Sequence, residues 1–193
     1  MQWLIELDKA AFLWLNNCLA SDPLDPLFHL WSYLGNGGVA LAMVAAGALV
    51  LKRPKFLKDH LPWIALGALL GGLMVHLLKD LVGRDRPVEG FAPLIQAGKV
   101  QLHLVGTILS RGSFPSGHAQ VAFTVATYLS LLLRRWSPLL LLLALGVALS
   151  RIYMGVHYPL DVIVGGALGA ISAWLLFRIR GMVLARWRRG QSL

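Results

Sequence analysis

The chain has 193 residues, 57% hydrophobic and 14% charged, and its mean hydropathy is +0.66. Soluble domains are about 45–50% apolar and about 25% charged, so this composition excludes a disordered or collagen-like chain and points to an integral membrane protein. The formal charge of +9 is first a signature of basic cytoplasmic loops, not of nucleic-acid binding, and the single cysteine, Cys18, excludes an intrachain disulfide or a cysteine-based zinc site.

Residues 3–19 mix apolar side chains with Glu6, Asp8, Lys9, Asn16 and Asn17. Trp3, Leu4, Leu7, Ala11, Trp14 and Leu15 follow a rough helical stripe, which predicts a helix lying in the membrane interface, with a sixth span as the alternative. No basic run precedes the first apolar residues, so a cleaved signal peptide is not expected. Pro23 and Pro26 mark a turn that closes this N-terminal segment, 1–26. Five apolar segments follow, at about 27–51, 61–78, 117–133, 139–150 and 160–177. The first is interrupted by Gly35-Asn36-Gly37-Gly38, and the fourth needs a few more residues at each end. At about 1.5 Å per residue, a helix of about 18–20 residues covers most of a ~30 Å hydrocarbon core. The expected fold is therefore all-α: a polytopic transmembrane bundle forming one domain over 1–193. The spacings Gly67-x3-Gly71 and Gly165-x3-Gly169 suit close helix packing. Trp3, Trp31, Trp63, Trp136 and Trp187 fall where interfacial aromatic belts are expected.

The connections alternate in charge. If all five segments span, 52–60, 134–137 and the basic tail 179–193, with Arg178 just before it, share one side and carry 11 basic residues against one acid, Asp59. The opposite side receives 1–26, 79–116 and 151–159, plus Asp161, and carries 7 basic residues against 8 acids. The basic excess assigns the first side, with the C-terminus, to the cytoplasm and the second to the periplasm or exterior.

Three polar stretches cluster on that second side: Lys79 to Pro87, Ser113 to His118, and Ser150 to Asp161. Lys79, Arg86 and Arg151 are cations at one membrane face; arginine presents a planar fork matched to phosphate oxygens, and lysine a compact charge. Pro115-Ser116-Gly117 precedes a predicted helix whose first N–H groups form an anion site. Together these describe a cradle for a tetrahedral anion. His157 stands four residues before Asp161, close enough for the carboxylate to orient one ring nitrogen and leave the other free to attack. His118 opens the next predicted helix, placed to donate a proton to a departing oxygen. Taken singly, a cation at a span end anchors the helix, and Pro-Ser-Gly is a turn or cap. Their convergence on one face is what suggests chemistry. His76, one turn before Lys79, is a candidate supporting residue. Arg84 with Asp85 reads as a pair on the rim, and Lys99, His103 and Arg111 in the loop 88–112 read as either headgroup contacts or solvated residues.

The sequence resembles the type 2 phosphatidic acid phosphatase (PAP2) superfamily. Its pattern K-x6-R-P, P-S-G-H and S-R-x5-H-x3-D is met by Lys79 with Arg86-Pro87, by Pro115 to His118, and by Ser150-Arg151 with His157 and Asp161. The motifs and the spans between them cover roughly 60–178. The resemblance implies that His157 is a nucleophile that becomes a phosphohistidine, oriented by Asp161. It makes His118 the acid for the leaving oxygen and later the base for water. It makes Lys79, Arg86, Arg151, Ser116 and the Gly117 N–H the phosphate ligands. It implies no cofactor and no metal ion, and the substrate it implies is a membrane lipid phosphate. Among compact bacterial members, undecaprenyl diphosphate hydrolysis is the expected activity. Phosphatidylglycerophosphate, phosphatidic acid or lipid A are alternative substrates, and a lipid-phosphate transporter without catalysis is the alternative of another class. A nucleic-acid partner is not expected.

Overall fold

A computed structural model describes residues 2–190, with no strand among them. The nine α-helices in chain order are α1 (Gln2–Leu19), α2 (Asp25–Ser32), α3 (Gly37–Val50), α4 (Pro54–Val82), α5 (Pro87–Gly90), α6 (Ala92–Gln96), α7 (Gly117–Leu132), α8 (Ser137–Tyr153) and α9 (Pro159–Gly190). Of the expected tail, 191–193 lie outside the described residues. Proline opens α4 and α9 and sits in the first turn of α2 and α8, where its missing N–H costs nothing. Gly83, at φ +58°, ends α4, a left-handed position that glycine adopts without a Cβ clash.

The chain is a polytopic membrane bundle. The α4 region, α8 with the turn before it, and α9 are long and apolar enough to cross a membrane; α2 and α3 add a fourth if the bent pair is one span, and α7, with 16 residues, is too short to count by the same measure. The expected segment over 27–51, interrupted at Gly35-Asn36-Gly37-Gly38, is built as two helices, α2 and α3, that meet at 82°. Asn36 causes the break. Its backbone is extended, and its side-chain Oδ1 accepts from Gly38 N at 3.0 Å and Val39 N at 3.2 Å, starting a new helix.

Helix α7 is the axis of the bundle, packed against α4, α8 and α9. It buries Ala119, Gln120, Ala122, Thr124, Ala126, Tyr128 and Ser130. Small residues here let the neighbouring backbones approach. At Gly165 and Gly169 of α9 a Cβ would overlap the backbone carbonyls of Ser116 and Gln120. The Gly165-x3-Gly169 spacing is thus the α7–α9 contact itself, and Gly67 and Gly71 of α4 meet Thr124 and Gln120 on another side of α7.

Helix α1 buries Asp8, Phe12 and Asn16, one residue per turn on a single face. Phe12 packs against Phe91 and Tyr158 at ring separations of 5.9 and 5.3 Å. Asn16 donates to the carbonyls of His103, Ile152 and Tyr153 and accepts from His103 N. So α1 is docked on the bundle by polar as well as apolar contacts. Trp3, Trp136 and Trp187 are exposed. Trp31 is tied to α8: its Nε1 donates to Leu143 O at 3.2 Å, and its ring lies against Gly146.

Candidate active site

The three polar stretches meet at one end of the bundle, where α4 stops, α7 and α9 begin and α8 ends. Their loops are laced by backbone hydrogen bonds: Arg86 N to Ser110 O, Ser113 N to Arg84 O, and Ser116 N to Asp161 O, all at 2.8–2.9 Å. Ser116 caps α7, its Oγ accepting from Ala119 N at 3.4 Å, so the helix starts at Gly117 as the sequence predicts.

The cations are held mainly by neutral groups. Lys79 Nζ donates to the Gly112 carbonyl. Arg86 donates from Nε to Arg111 O at 2.9 Å, from Nη1 to Val156 O at 3.0 Å and from Nη2 to Gly112 O at 3.4 Å. Arg151 donates from Nη1 to Ser32 Oγ of α2, and its buried Nε has no partner. Among the described residues, none of the three is ion-paired with a carboxylate. Arg86 and Arg151 are each only 7% exposed. Buried positive charge held by neutral oxygen atoms is costly unless an anion completes it.

Both histidines lie in this field. His118 is close enough to Arg151, Arg86 and Lys79 to feel their charges. On its other side it abuts Gly35, where a Cβ would stand 2.8 Å from His118 Cβ. His157, in the loop between α8 and α9, is 2% exposed, and its Nδ1 lies 3.5 Å from Asp161 Oδ2. That separation is at the outer limit of a hydrogen bond. Burial pushes the His157 imidazole down to about 3, against the pull of Asp161, and Arg86 and Arg151 lower it further. His157 is therefore a neutral imidazole over the whole physiological range, the form that carries a nucleophilic lone pair.

The same shift has a consequence for stability. An unfolded histidine takes a proton near pH 6.5, whereas folded His157 does so only near pH 3. Between those values the unfolded chain binds more protons, so this group's stabilisation is complete above pH 6.5 and is lost as pH falls towards 3. Thermal unfolding in detergent is expected to show a Tm that drops between pH 7 and pH 4, with a shallower drop in His157→Gln. Equal slopes would contradict a buried neutral His157.

Sequence reasoning places Arg84 on the rim with Asp85; the structure turns it inward. Its Nη1 donates to Asp161 Oδ1 at 2.7 Å, its Nη2 to Asp8 Oδ2 at 2.6 Å, and its guanidinium stacks 4.0 Å above the Tyr158 ring. Ser113, assigned no role from sequence, donates to Asp161 Oδ2 at 2.5 Å, and Tyr158 N donates to the same oxygen at 2.9 Å. Ser32 was also missed. No sequence signal links it or Asp8 to the motifs; the position of Ser113 inside the second motif stretch was a usable hint. His76 is exposed and Lys99 and Arg111 are exposed; only the backbone of Arg111 touches the site. His103 is a tie rather than a headgroup ligand: its Nε2 lies 2.7 Å from Asp25 Oδ1, and its ring meets Tyr153 edge-on.

The three motif stretches of this site, from Lys79 to Asp161, lie inside a region that a family model recognises. The model of the PAP2 superfamily matches residues 60–184. The chain belongs to the PAP2 superfamily. It is 31% identical over 175 residues to the bacitracin transport permease protein BcrC of Bacillus licheniformis, covering 89% of this chain and 80% of that one. It is 40% identical over 151 residues to a decaprenylphosphoryl-5-phosphoribose phosphatase of Mycobacterium tuberculosis, covering 75% and 72%. A shorter match, 46% identical over 68 residues, covers 35% of this chain and 33% of an undecaprenyl-diphosphatase of Sulfolobus acidocaldarius. The crystal structure of Aquifex aeolicus LpxE superposes with a TM-score of 0.71 at 32% identity, covering 86% of this chain and 92% of that one. The PAP2 chain described here is thus a membrane-embedded phosphoric ester hydrolase of the lipid phosphatase family.

Proposed function

We propose that this PAP2 enzyme removes the terminal phosphate of a polyprenyl diphosphate, undecaprenyl diphosphate above all, on the extracytoplasmic face of the cell membrane. The observation that carries the reading is the cluster of three cations without carboxylate partners around His157 and His118. In the proposed mechanism Lys79, Arg86 and Arg151 bind the terminal phosphoryl oxygens, assisted by Ser116 and the Gly117 N–H at the start of α7. The ring nitrogen of His157 remote from Asp161 attacks phosphorus, and the bond from phosphorus to the bridging oxygen breaks. His118, which can hold a proton once the charge of the bound phosphate offsets that of Arg151, Arg86 and Lys79, gives it to that oxygen, and lipid monophosphate departs. Neutral His118 then takes a proton from water, whose oxygen displaces His157 and releases orthophosphate. The cations stabilise the charge that spreads over the equatorial oxygens.

The chain of the lipid also has a place. A cavity of about 550 Å³ runs between α3, α7 and α8, lined almost entirely by apolar side chains. None of the charged site residues line it, but its members Leu34 and Val147 flank Gly35, which touches His118. The cavity extends from there to Arg53 and Trp136 at the far end of the bundle. We infer that it takes the hydrocarbon next to the cleaved group. Ala126→Phe, which fills it, is expected to raise KM for a long-chain lipid phosphate by about tenfold, a typical cost for crowding an apolar pocket. KM for a short-chain analogue is expected to be unchanged; equal rises would contradict the assignment.

Placement of the active end outside the cytoplasm rests on the 11 basic residues of the opposite side. Cysteines introduced into 88–112 of a Cys18→Ser chain are expected to react with an impermeant reagent in intact cells. Labelling only after permeabilisation would reverse the orientation. The substrate reading is tested by phosphate release in EDTA from a panel of polyprenyl diphosphate, polyprenyl phosphate, phosphatidylglycerophosphate, phosphatidic acid and lipid A. The highest kcat/KM is expected on polyprenyl diphosphate; a clear preference for another member would replace it.

A further inference from the structure

Arg84 differs from the other three cations of the site in that its charge is already used. Its two terminal nitrogens each meet a carboxylate: Nη1 meets Asp161 Oδ1 at 2.7 Å, and Nη2 meets Asp8 Oδ2 at 2.6 Å. Both carboxylates are buried, and the Arg84 side chain is 19% exposed. Asp8 has its other oxygen occupied too, accepting from Leu160 N at 2.9 Å. Asp8 thus ties the N-terminal helix α1 both to Arg84 and to the first turn of α9, one residue from Asp161. The Tyr158 ring under the guanidinium holds it in plane, and Phe12 of α1 packs on that same ring. Asp8 lies outside the matched residues 60–184, on a helix that contributes no motif residue.

The electrostatics of this chain of groups are specific. Asp161 has Oδ1 on Arg84 and Oδ2 on Ser113 and Tyr158 N, so its plane is fixed with Oδ2 towards His157 Nδ1. Arg84 alone would fix that plane but would also neutralise the carboxylate. Asp8 cancels the charge of Arg84 and leaves Asp161 with a net negative charge for the imidazole. When His157 bonds to phosphorus its ring becomes positive, so that remaining charge acts where positive charge develops. A forked guanidinium between two carboxylates has directions that lysine cannot reproduce.

We propose that Asp8 and Arg84 are positioning residues for the phosphatase reaction: α1 holds Arg84, Arg84 orients Asp161, and Asp8 keeps the Asp161 charge available to His157. The proposal rests on the reading of His157 as nucleophile, and it makes α1 part of the catalytic unit.

The test uses the purified full-length enzyme and its variants Asp8→Asn, Arg84→Gln, Arg84→Lys, the double variant Asp8→Asn/Arg84→Gln, and His157→Ala. Turnover is measured on one lipid phosphate, with competitive inhibition by inorganic phosphate as a separate reading of the cation cradle. Asp8→Asn and Arg84→Gln are each expected to lower kcat by about 10–100-fold, the range for residues that orient a reacting group through another. KM and the phosphate inhibition constant are expected to stay within about threefold, because Lys79, Arg86 and Arg151 are untouched. The double variant is expected to be no worse than Arg84→Gln alone, since Asp8 acts through Arg84. Arg84→Lys, which keeps the charge but loses the fork, is expected to fall between wild type and Arg84→Gln, and it carries the test if Arg84→Gln does not fold. Multiplicative single effects, parallel loss of phosphate inhibition, or unchanged kcat in Asp8→Asn would each overturn the proposal. Turnover surviving in His157→Ala would instead overturn the nucleophile assignment, and the coupling between Asp8 and Arg84 would be read independently of it.

Discussion

Replacing His157 by alanine is expected to lower kcat by at least about 10⁴-fold, the scale of losing a nucleophile that no neighbour can replace. The physical basis is its setting. The ring is buried, neutral down to about pH 3, and within 3.5 Å of Asp161. It sits in the field of Arg86 and Arg151, so in the proposed mechanism a phosphate bound to those cations is brought to it. His157→Ala leaves the cations in place, so lipid phosphate should still bind, and KM or a direct binding constant should change little. Asp161→Asn is expected to lose less, because the attacking nitrogen remains while its orientation and charge support are removed. A His157→Ala enzyme with kcat within tenfold of wild type would remove the nucleophile from the account.

The second large effect is expected at Arg151. Lysine there keeps the positive charge but not the fork, and kcat/KM is expected to fall by about 10²–10³-fold, comparable to removing one charge-stabilising donor from a transition state. Arg151 is held by Ser32 on α2 and has an unpartnered Nε. Its carbonyl also accepts from Val156 N and His157 N, at 3.1 and 3.2 Å. It therefore organises the His157 loop through the backbone, and in the proposed mechanism it binds phosphate through the side chain. The loss in Arg151→Lys should appear in the phosphate inhibition constant as well as in kcat, unlike the losses expected at Asp8 and Arg84. Steady-state kinetics with and without inorganic phosphate separates the two patterns. A fall in kcat without weaker phosphate inhibition would argue against Arg151 as a phosphate ligand.

The residues that the sequence made legible are those whose neighbours in the chain explain them. Ser116 reads as a cap because a helix-forming run follows it, and α7 does begin at Gly117. Pro159 reads as a first-turn proline, and α9 begins there. The pair Gly165 and Gly169 reads as a packing face, and both glycines meet the α7 backbone. Contacts made only by folding stayed hidden. Arg84 and Asp8 are 76 positions apart, and nothing local distinguishes an inward arginine from one on the rim. Ser32 meets Arg151 across 119 positions, from the first part of the interrupted segment 27–51. The bend that brings it there depends on Asn36 capping α3 and on Gly35 fitting against His118 and Val147. The Gly-Asn-Gly-Gly interruption is visible in the sequence, but nothing local to it says at what angle the two short apolar pieces beside it meet. Asp8 reads as an interfacial charge because its helix is only partly apolar; its burial follows from the docking of α1, with Phe12 on the Tyr158 ring and Asn16 on the carbonyls of Ile152 and Tyr153.

A bell-shaped dependence of turnover on pH is the simplest expectation for two histidines in opposite roles. With His157 neutral down to about pH 3, loss of the nucleophile's lone pair belongs well below pH 5. Change between pH 5 and 9 then reports on groups other than the His157 lone pair, the substrate phosphate among them. The central claim, covalent transfer to His157, is tested most directly by rapid acid-free quenching of the enzyme during turnover of a terminally ³²P-labelled polyprenyl diphosphate, followed by peptide mapping. An alkali-stable, acid-labile label is expected on the peptide that carries His157, and none in His157→Ala. Turnover without any protein-bound label, or a label that persists in His157→Ala, would contradict it.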